Sequence, residues 1–218
     1  QGKQSAEAIL FRSENFYISN GIDLKLGVKI SSINPTDKTI KIQDGEIINY
    51  SHLILATGAQ NRKLNFENAE ISYLRTFADA NKINTQLENS KNVVIIGGGF
   101  IGLELAALAK EKGKNVTVIE SQSRLMERVL PAVISAVFQQ THEQNGVTIL
   151  LNTCTENVEK TTVTTKCGKT IEADFILAGI GVIPEISLAL EAGIACDNGI
   201  LVNEFQQTSV DTIYAIGD

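Results

Sequence analysis

Residues 92–120 read NVVIIGGGFIGLELAALAKEKGKNVTVIE, and this stretch decides the fold. Residues 93–96 form an unbroken apolar run, the pattern of a strand buried on both faces of a parallel sheet. Gly97, Gly99 and Gly102 follow at once in a G-x-G-x-x-G array. Gly97 permits a tight strand-to-helix turn, Gly99 lets a pyrophosphate approach the backbone, and Gly102 lets the next helix pack closely on the strand. The segment LELAALAKE supplies good helix formers and an apolar stripe at Leu103, Leu105, Ala106, Ala107 and Ala109, with Gly113 as its stop. The N-terminus of such a helix, with unpaired N–H groups and a positive dipole end, attracts an anion. NVTVIE then predicts a second strand ending in Glu120, about 20 residues beyond the glycines as a dinucleotide fingerprint requires. A carboxylate there accepts hydrogen bonds from ribose hydroxyls and repels a 2′-phosphate, favouring NADH over NADPH. Arg124 and Arg128 lie just beyond, placed to soften that preference.

The composition narrows the rest. A chain of 218 residues with 43% hydrophobic content can bury a core as one large domain or two small ones. Its 19 basic and 25 acidic residues give a net charge of −6, which argues against nucleic acid or an anionic membrane as a general partner. No apolar run approaches the ~20 residues of a membrane span, and QGKQSAEAIL has neither the basic end nor the apolar core of a signal peptide. A cytoplasmic protein is expected. Cys154, Cys167 and Cys196 form no C-x-x-C pair and read as core or surface thiols. With His52 and His142 the only histidines, neither a metal site nor a Ser-His-Asp constellation is expected.

Why ninety residues precede the fingerprint is answered by the flanks. Residues 22–26, 28–33 and 39–42 read as β segments, with turns at residues 34–37 and at Asp44-Gly45, and HLILATGA as a short buried strand running into a glycine turn. FADANKINTQLENS predicts a helix leading into the fingerprint strand. Beyond Glu120, Val133, Ile134, Val137 and Phe138 recur at helical spacing between Pro131 and Gly146. VTILLN is a third strand, residues 155–172 a small antiparallel meander, and ADFILAGIG another buried strand. ISLALEAGI is a short helix, and GILVN and TIYAIGD are the last strands. The region from 93 to 181 thus behaves as a nucleotide-binding module placed inside something else.

The ATGA turn at residues 56–59, GGGFIG at 97–102 and the closing YAIGD at 214–218 resemble the signatures of the two-dinucleotide flavoprotein reductases of the FAD-dependent pyridine nucleotide-disulfide oxidoreductase superfamily. In detail, LRTFADANKI at 74–83, SRLMERVLPAVISAVFQQTHEQNGV at 123–147 and AGIGVIPEISLALEAGIACDNGILVNEFQQTS at 178–209 look most like the bacterial NADH-dependent ferredoxin and rubredoxin reductases, which feed electrons to oxygenases and cytochromes P450. The resemblance implies an α/β fold in which a Rossmann-like NAD(P)-binding domain, residues 77–197, is inserted in a partial FAD-binding domain made of residues 1–76 and 198–218. The family also carries an earlier FAD-binding G-x-G-x-x-G and further C-terminal sequence that this chain lacks, so it reads as a fragment.

The resemblance implies roles as well. NADH and FAD carry the redox chemistry, no catalytic side chain is expected, and the partner is a ferredoxin or rubredoxin type electron-transfer protein. Gly97, Gly99, Phe100, Ile101 and Gly102 hold NADH, Glu120 and Arg128 bound its far end, and Glu104 matches a glutamate reaching the nicotinamide. Gly179, Ile180 and Gly181 match a strand exit lining the nicotinamide ribose and amide. On the flavin side, Ile30 meets adenine through its backbone, Ala56, Thr57, Gly58 and Ala59 form a turn against FAD, Arg62 contacts it, and Gly217-Asp218 meets the ribityl chain. Read alone, Glu104 is a solvated helix acid, Arg62 a surface cation and residues 179–181 a tight turn. Within the superfamily an NADH oxidase, a coenzyme A-disulfide reductase or a nitrite reductase flavin module is the alternative. A non-catalytic NAD-binding redox sensor is the reading of another class.

Overall fold

The computed structural model describes residues 7–67 and 69–218. They fall into two compact units, an inner one of Asn61–Val182 and an outer one made of residues up to Gln60 together with Ile183–Asp218.

The outer unit opens with a single 3-10 turn, Glu7–Ile9, and a short helix α1, Glu14–Ser19. Strands β1 (Ile30–Asn34), β2 (Thr39–Ile42) and β3 (Ile47–Asn49) form an antiparallel meander with Ile33 opposite Ile40. The predicted strand at residues 22–26 does not form: Ile22, Leu24 and Leu26 are exposed, and no ladder runs through that segment among the described residues. Its alternation supplied an apolar edge without a pairing partner, and an isolated strand has no stability of its own. Strand β4 (Leu53–Leu55) is followed by β5 (Ala59–Asn61), where the chain enters the inner unit.

The inner unit begins with α2, Phe77–Glu88, whose start is fixed by a capping box in which Thr76 and Asp79 satisfy each other's backbone N–H groups. Strand β6 (Asn92–Ile96), helix α3 (Phe100–Glu111), strand β7 (Asn115–Ile119), helix α4 (Ala132–Gln144) and strand β8 (Thr148–Leu150) follow. A meander of β9 (Thr155–Val158), β10 (Thr162–Thr165) and β11 (Thr170–Glu172) leads to β12, Phe175–Ala178. The main sheet is parallel, in the order β12-β6-β7-β8.

Side chains of a strand alternate between faces, and here both faces are covered. Val93 and Ile95 meet Ile83 and Leu87 of α2 and Leu105, Ala106 and Ala109 of α3. Val94 and Ile96 meet Val158 and Val163 of the meander, with Leu64, Phe66, Ile71 and Tyr73 packed alongside. Two-sided burial is why the fingerprint strand reads as an unbroken apolar run.

Strand β13 (Val182–Pro184) returns the chain to the outer unit, where α5 (Ser187–Glu191), a small hairpin of β14 (Cys196–Asp197) and β15 (Gly199–Ile200), and β16 (Ile213–Ala215) complete it. Strand β16 pairs in parallel with β4, joining the two ends of this unit. The predicted strand GILVN shrinks to the two residues of β15.

The compact division at residues 60/61 and 182/183 differs from the 76/77 and 197/198 limits read from the sequence. The segment ahead of α2 docks on the inner sheet: Ser72 bridges Leu177, and its N–H donates to Ile176 O. Likewise Leu188, Ala189 and Ala192, in and just beyond α5, pack with Leu55 and Ile213 of the outer unit.

Helix α4 also departs from expectation. Its period is as predicted, yet Val133 and Val137 are exposed while Ser135 is buried. Only Phe138 of the predicted stripe packs beside the buried Leu125 and Met126.

Asp174 pins the start of the sheet, its carboxylate accepting the N–H groups of Asn92 at 2.7 Å and Lys91 at 2.9 Å. These bonds, Asn92 first, hold its carboxyl below the ordinary aspartate range. Because the folded value is the lower one, the stabilisation is fully present above the ordinary value near pH 4 and is lost as pH falls through the folded value. Asp174→Ala is therefore expected to cost about 1 kcal/mol at pH 7, a modest figure for an exposed clamp. In urea unfolding the gap to the parent chain should hold above the ordinary aspartate range and narrow as the pH falls below it, closing only below the folded value. Among the described residues no helix is long and apolar enough to cross a membrane.

Candidate functional site

The turn between β6 and α3 is built from glycines whose need can be read one at a time. Gly97 has φ +106°, and a Cβ there would lie 2.4 Å from Gly179 O. A Cβ on Gly102 would lie 2.2 Å from Gly97 O and 3.2 Å from Ile95 Cγ2, so this glycine is what lets α3 close on β6. Gly99 is different. It is the N-cap of α3 in extended backbone, φ −86° and ψ −177°, and the nearest atom to an added Cβ is Gly179 O at 3.9 Å. Neither strain nor packing within the protein requires a glycine there; the space in front of it is open.

That space is a hollow of about 500 Å³ lined by residues of the inner unit alone. Of the predicted residues, Gly97, Gly99, Phe100, Ile101, Glu120, Arg128, Gly179, Ile180 and Gly181 surround it, and Gly102 sits behind it. Arg62, expected on the flavin side, lines this same hollow, its backbone N–H donating to Gly181 O at 3.0 Å. Glu104 does not: it is exposed on α3 and lines a separate groove against α4.

Glu120 closes one end of the hollow in a fixed orientation. Its Oε2 accepts the Gly98 N–H at 2.7 Å, and its Oε1 accepts the Gln122 N–H at 2.8 Å and the Ser121 hydroxyl at 3.2 Å. A carboxylate has about four acceptor sites, so a ribose diol can still be received. Gly98, an ordinary "x" in the motif, lines the hollow and is a glycine that packing requires, which the sequence pattern did not mark. A Cβ there would meet Leu125 Cδ2 at 2.5 Å and Glu120 Oε2 at 3.1 Å.

The two arginines beyond Glu120 part company. Arg128 lines the hollow, with Nη2 3.5 Å from where a Gly181 Cβ would be. Arg124 turns into the protein, donating to Leu130 O, Ser135 Oγ and Glu127 O at 2.6, 2.8 and 2.8 Å. With three of its five donors used there and its side chain absent from the lining of the hollow, Arg124 is not placed beside the nucleotide end as the sequence suggested.

The outer unit holds a second hollow of about 250 Å³ in which Thr57, Gly58, Gly217 and Asp218 come together. Thr57 donates its hydroxyl to Glu185 O at 2.7 Å, and Gly58 O accepts the Glu185 N–H at 2.8 Å. The Glu185 carboxylate is held below its ordinary range by the Ser187 hydroxyl and N–H and then by Gln60, which fixes the wall of this hollow. Ala56, Ala59 and Ile30 are not among its lining; Ala59 is buried in β5 and Ile30 begins β1 opposite Ile42. The three cysteines are free, and no cluster of metal-ligating side chains occurs among the described residues.

A parallel sheet, a glycine turn opening a helix, and an acid at the next strand's end define a dinucleotide-binding α/β module. The sequence profile of the pyridine nucleotide-disulphide oxidoreductase family matches residues 2–218, and the chain belongs to that family. It is 38% identical to rhodocoxin reductase of Rhodococcus erythropolis, over 97% of this chain and 52% of that protein. To the rubredoxin-NAD(+) reductase of Pseudomonas putida it is 40% identical, over 97% of this chain and 57% of that one. The crystal structure of the ferredoxin reductase for the CYP199A2 system from Rhodopseudomonas palustris superposes with a TM-score of 0.94 at 35% identity, covering 98% of this chain and 55% of that one. The chain thus spans about half the length of the curated relatives it matches.

Proposed function

We propose that the inner unit binds NADH, that the outer unit forms part of an FAD site, and that together they serve a reductase passing electrons from NADH through FAD to a ferredoxin or rubredoxin type protein. The observation that carries the NADH assignment is Gly99, a glycine that the protein's own packing does not require, standing at a helix N-terminus opposite a terminal acid. The names of the relatives support the acceptor class.

When bound, NADH supplies a hydride and FAD the conversion to single electrons. The residues of this chain bind and orient. The N–H groups at the start of α3 receive the pyrophosphate, with Arg62 and Arg128 as the cations around it. Glu120 accepts the adenosine ribose hydroxyls and disfavours a 2′-phosphate. Gly179, Ile180 and Gly181 offer a narrow backbone wall for the nicotinamide end, and Thr57, Gly58, Gly217 and Asp218 bound one side of the flavin. In this reading Glu104 and Ile30 contribute to the two cofactors outside these hollows, and the protein works in the cytoplasm, where NADH is supplied.

The test uses the protein loaded with FAD: NADH oxidation is followed with a ferredoxin and, separately, a rubredoxin as acceptor. A reductase reduces one of them at a rate that rises with acceptor concentration. Tight NADH binding with no acceptor-dependent turnover would reject the reductase reading in favour of a redox sensor.

A further inference from the structure

The loop between β7 and α4 does more than join them. It contributes Gln122, Met126, Glu127 and Arg128 to the rim of the nucleotide hollow. Within it Met126 holds a left-handed conformation, φ +50°, uncommon for a residue with a side chain. That conformation directs the Met126 N–H to Gly98 O at 3.0 Å, while the Gly98 N–H donates to Glu120 Oε2 at 2.7 Å. Gly98 is therefore held at both its N–H and its carbonyl, by the end of β7 and by the loop. The fully buried Leu125 closes the place where a Gly98 side chain would be.

A left-handed turn of this kind persists only where the surroundings over-determine it. Arg124 supplies the constraint. Its guanidinium gathers the carbonyls of Glu127 and Leu130 and reaches Ser135 on α4, a side chain only 1% exposed. The planar fork of arginine suits three acceptors at once, which the single ammonium of lysine does not reproduce.

We propose that Arg124, with Ser135 behind it, is a positioning residue of the nucleotide site: it holds the loop so that Met126 and Glu120 fix Gly98, and it does so without lining the hollow. The proposal rests on the NADH reading above.

The test uses the 218-residue chain and two variants, Arg124→Lys and Ser135→Ala. NADH affinity is measured by calorimetry, and amide hydrogen exchange at Gly98 and Met126 is measured without nucleotide. Arg124→Lys is expected to weaken NADH binding about fivefold or more, and Ser135→Ala about twofold or more, each from lost hydrogen bonds that order the loop. In both, the Gly98 and Met126 amides should exchange faster while those of β6 and β12 keep their protection. Wild-type affinity in Arg124→Lys would show that charge alone suffices and overturn the proposal. So would unchanged exchange at Gly98 and Met126 in both variants. A parent chain that binds no NADH would overturn the nucleotide reading and this proposal with it, an outcome that the parent titration alone identifies. Should Arg124→Lys fail to fold, Ser135→Ala decides by the same two readouts.

Discussion

Gly99→Val is expected to fold normally and to lose NADH binding by roughly tenfold to a hundredfold. Valine adopts φ −86° and ψ −177° without strain, and an added Cβ finds no protein atom closer than 3.9 Å. The cost to the helix is that of a poorer N-cap, about 1 kcal/mol. The branched side chain instead fills the approach to the first N–H groups of α3, where the pyrophosphate must come within hydrogen-bond distance. Losing one bond to a charged group, at about 1.5–3 kcal/mol, gives the stated range. Gly102→Ala provides the contrast, because its methyl would meet Gly97 O at 2.2 Å and the folded state itself must yield. Calorimetric titration paired with thermal melting separates the two: Gly99→Val loses affinity while its midpoint falls by only about 2–4 °C, whereas Gly102→Ala loses affinity and a much larger share of its stability. NADH binding by Gly99→Val at the parent affinity would mean that the pyrophosphate does not pass this point.

Glu120→Arg is expected to reverse the nucleotide preference. The parent chain should favour NADH, because a 2′-phosphate would be brought against a carboxylate oriented by Gly98 and Gln122. The variant removes the acceptor for the ribose hydroxyls and leaves the Gly98 N–H unpaired, so NADH should weaken roughly tenfold to a hundredfold. It also adds a cation beside Arg128, so NADPH should become the better ligand, increasingly so at low ionic strength. Glu120→Gln keeps an acceptor and should fall between the two. Equal NADH and NADPH affinities in the parent, unchanged in Glu120→Arg, would remove Glu120 from the site.

Much of this was legible in the sequence because the inner unit obeys local rules. An unbroken apolar strand, three spaced glycines and a terminal acid each have a physical cause within a few residues, and β6, α3 and β7 formed where they were read. The failures share a different cause. Residues 22–26 alternate like a strand, but pairing depends on a distant partner. The stripe on α4 has the right period, yet the buried residue is Ser135, hydrogen-bonded to Arg124, a tertiary contact that periodicity does not encode. Arg124 and Arg128 are equivalent as letters; which one faces the hollow depends on three carbonyl and hydroxyl acceptors brought together by folding. The need for glycine at position 98 is invisible in the motif, which leaves that position open, while Leu125 and Glu120 occupy the space a side chain would need.

The most direct test is a calorimetric titration of the 218-residue chain with NADH and, separately, NADPH, with circular dichroism recording that the chain is folded. The account predicts one NADH per chain, bound more tightly than NADPH. A folded chain that takes up neither nucleotide would contradict it.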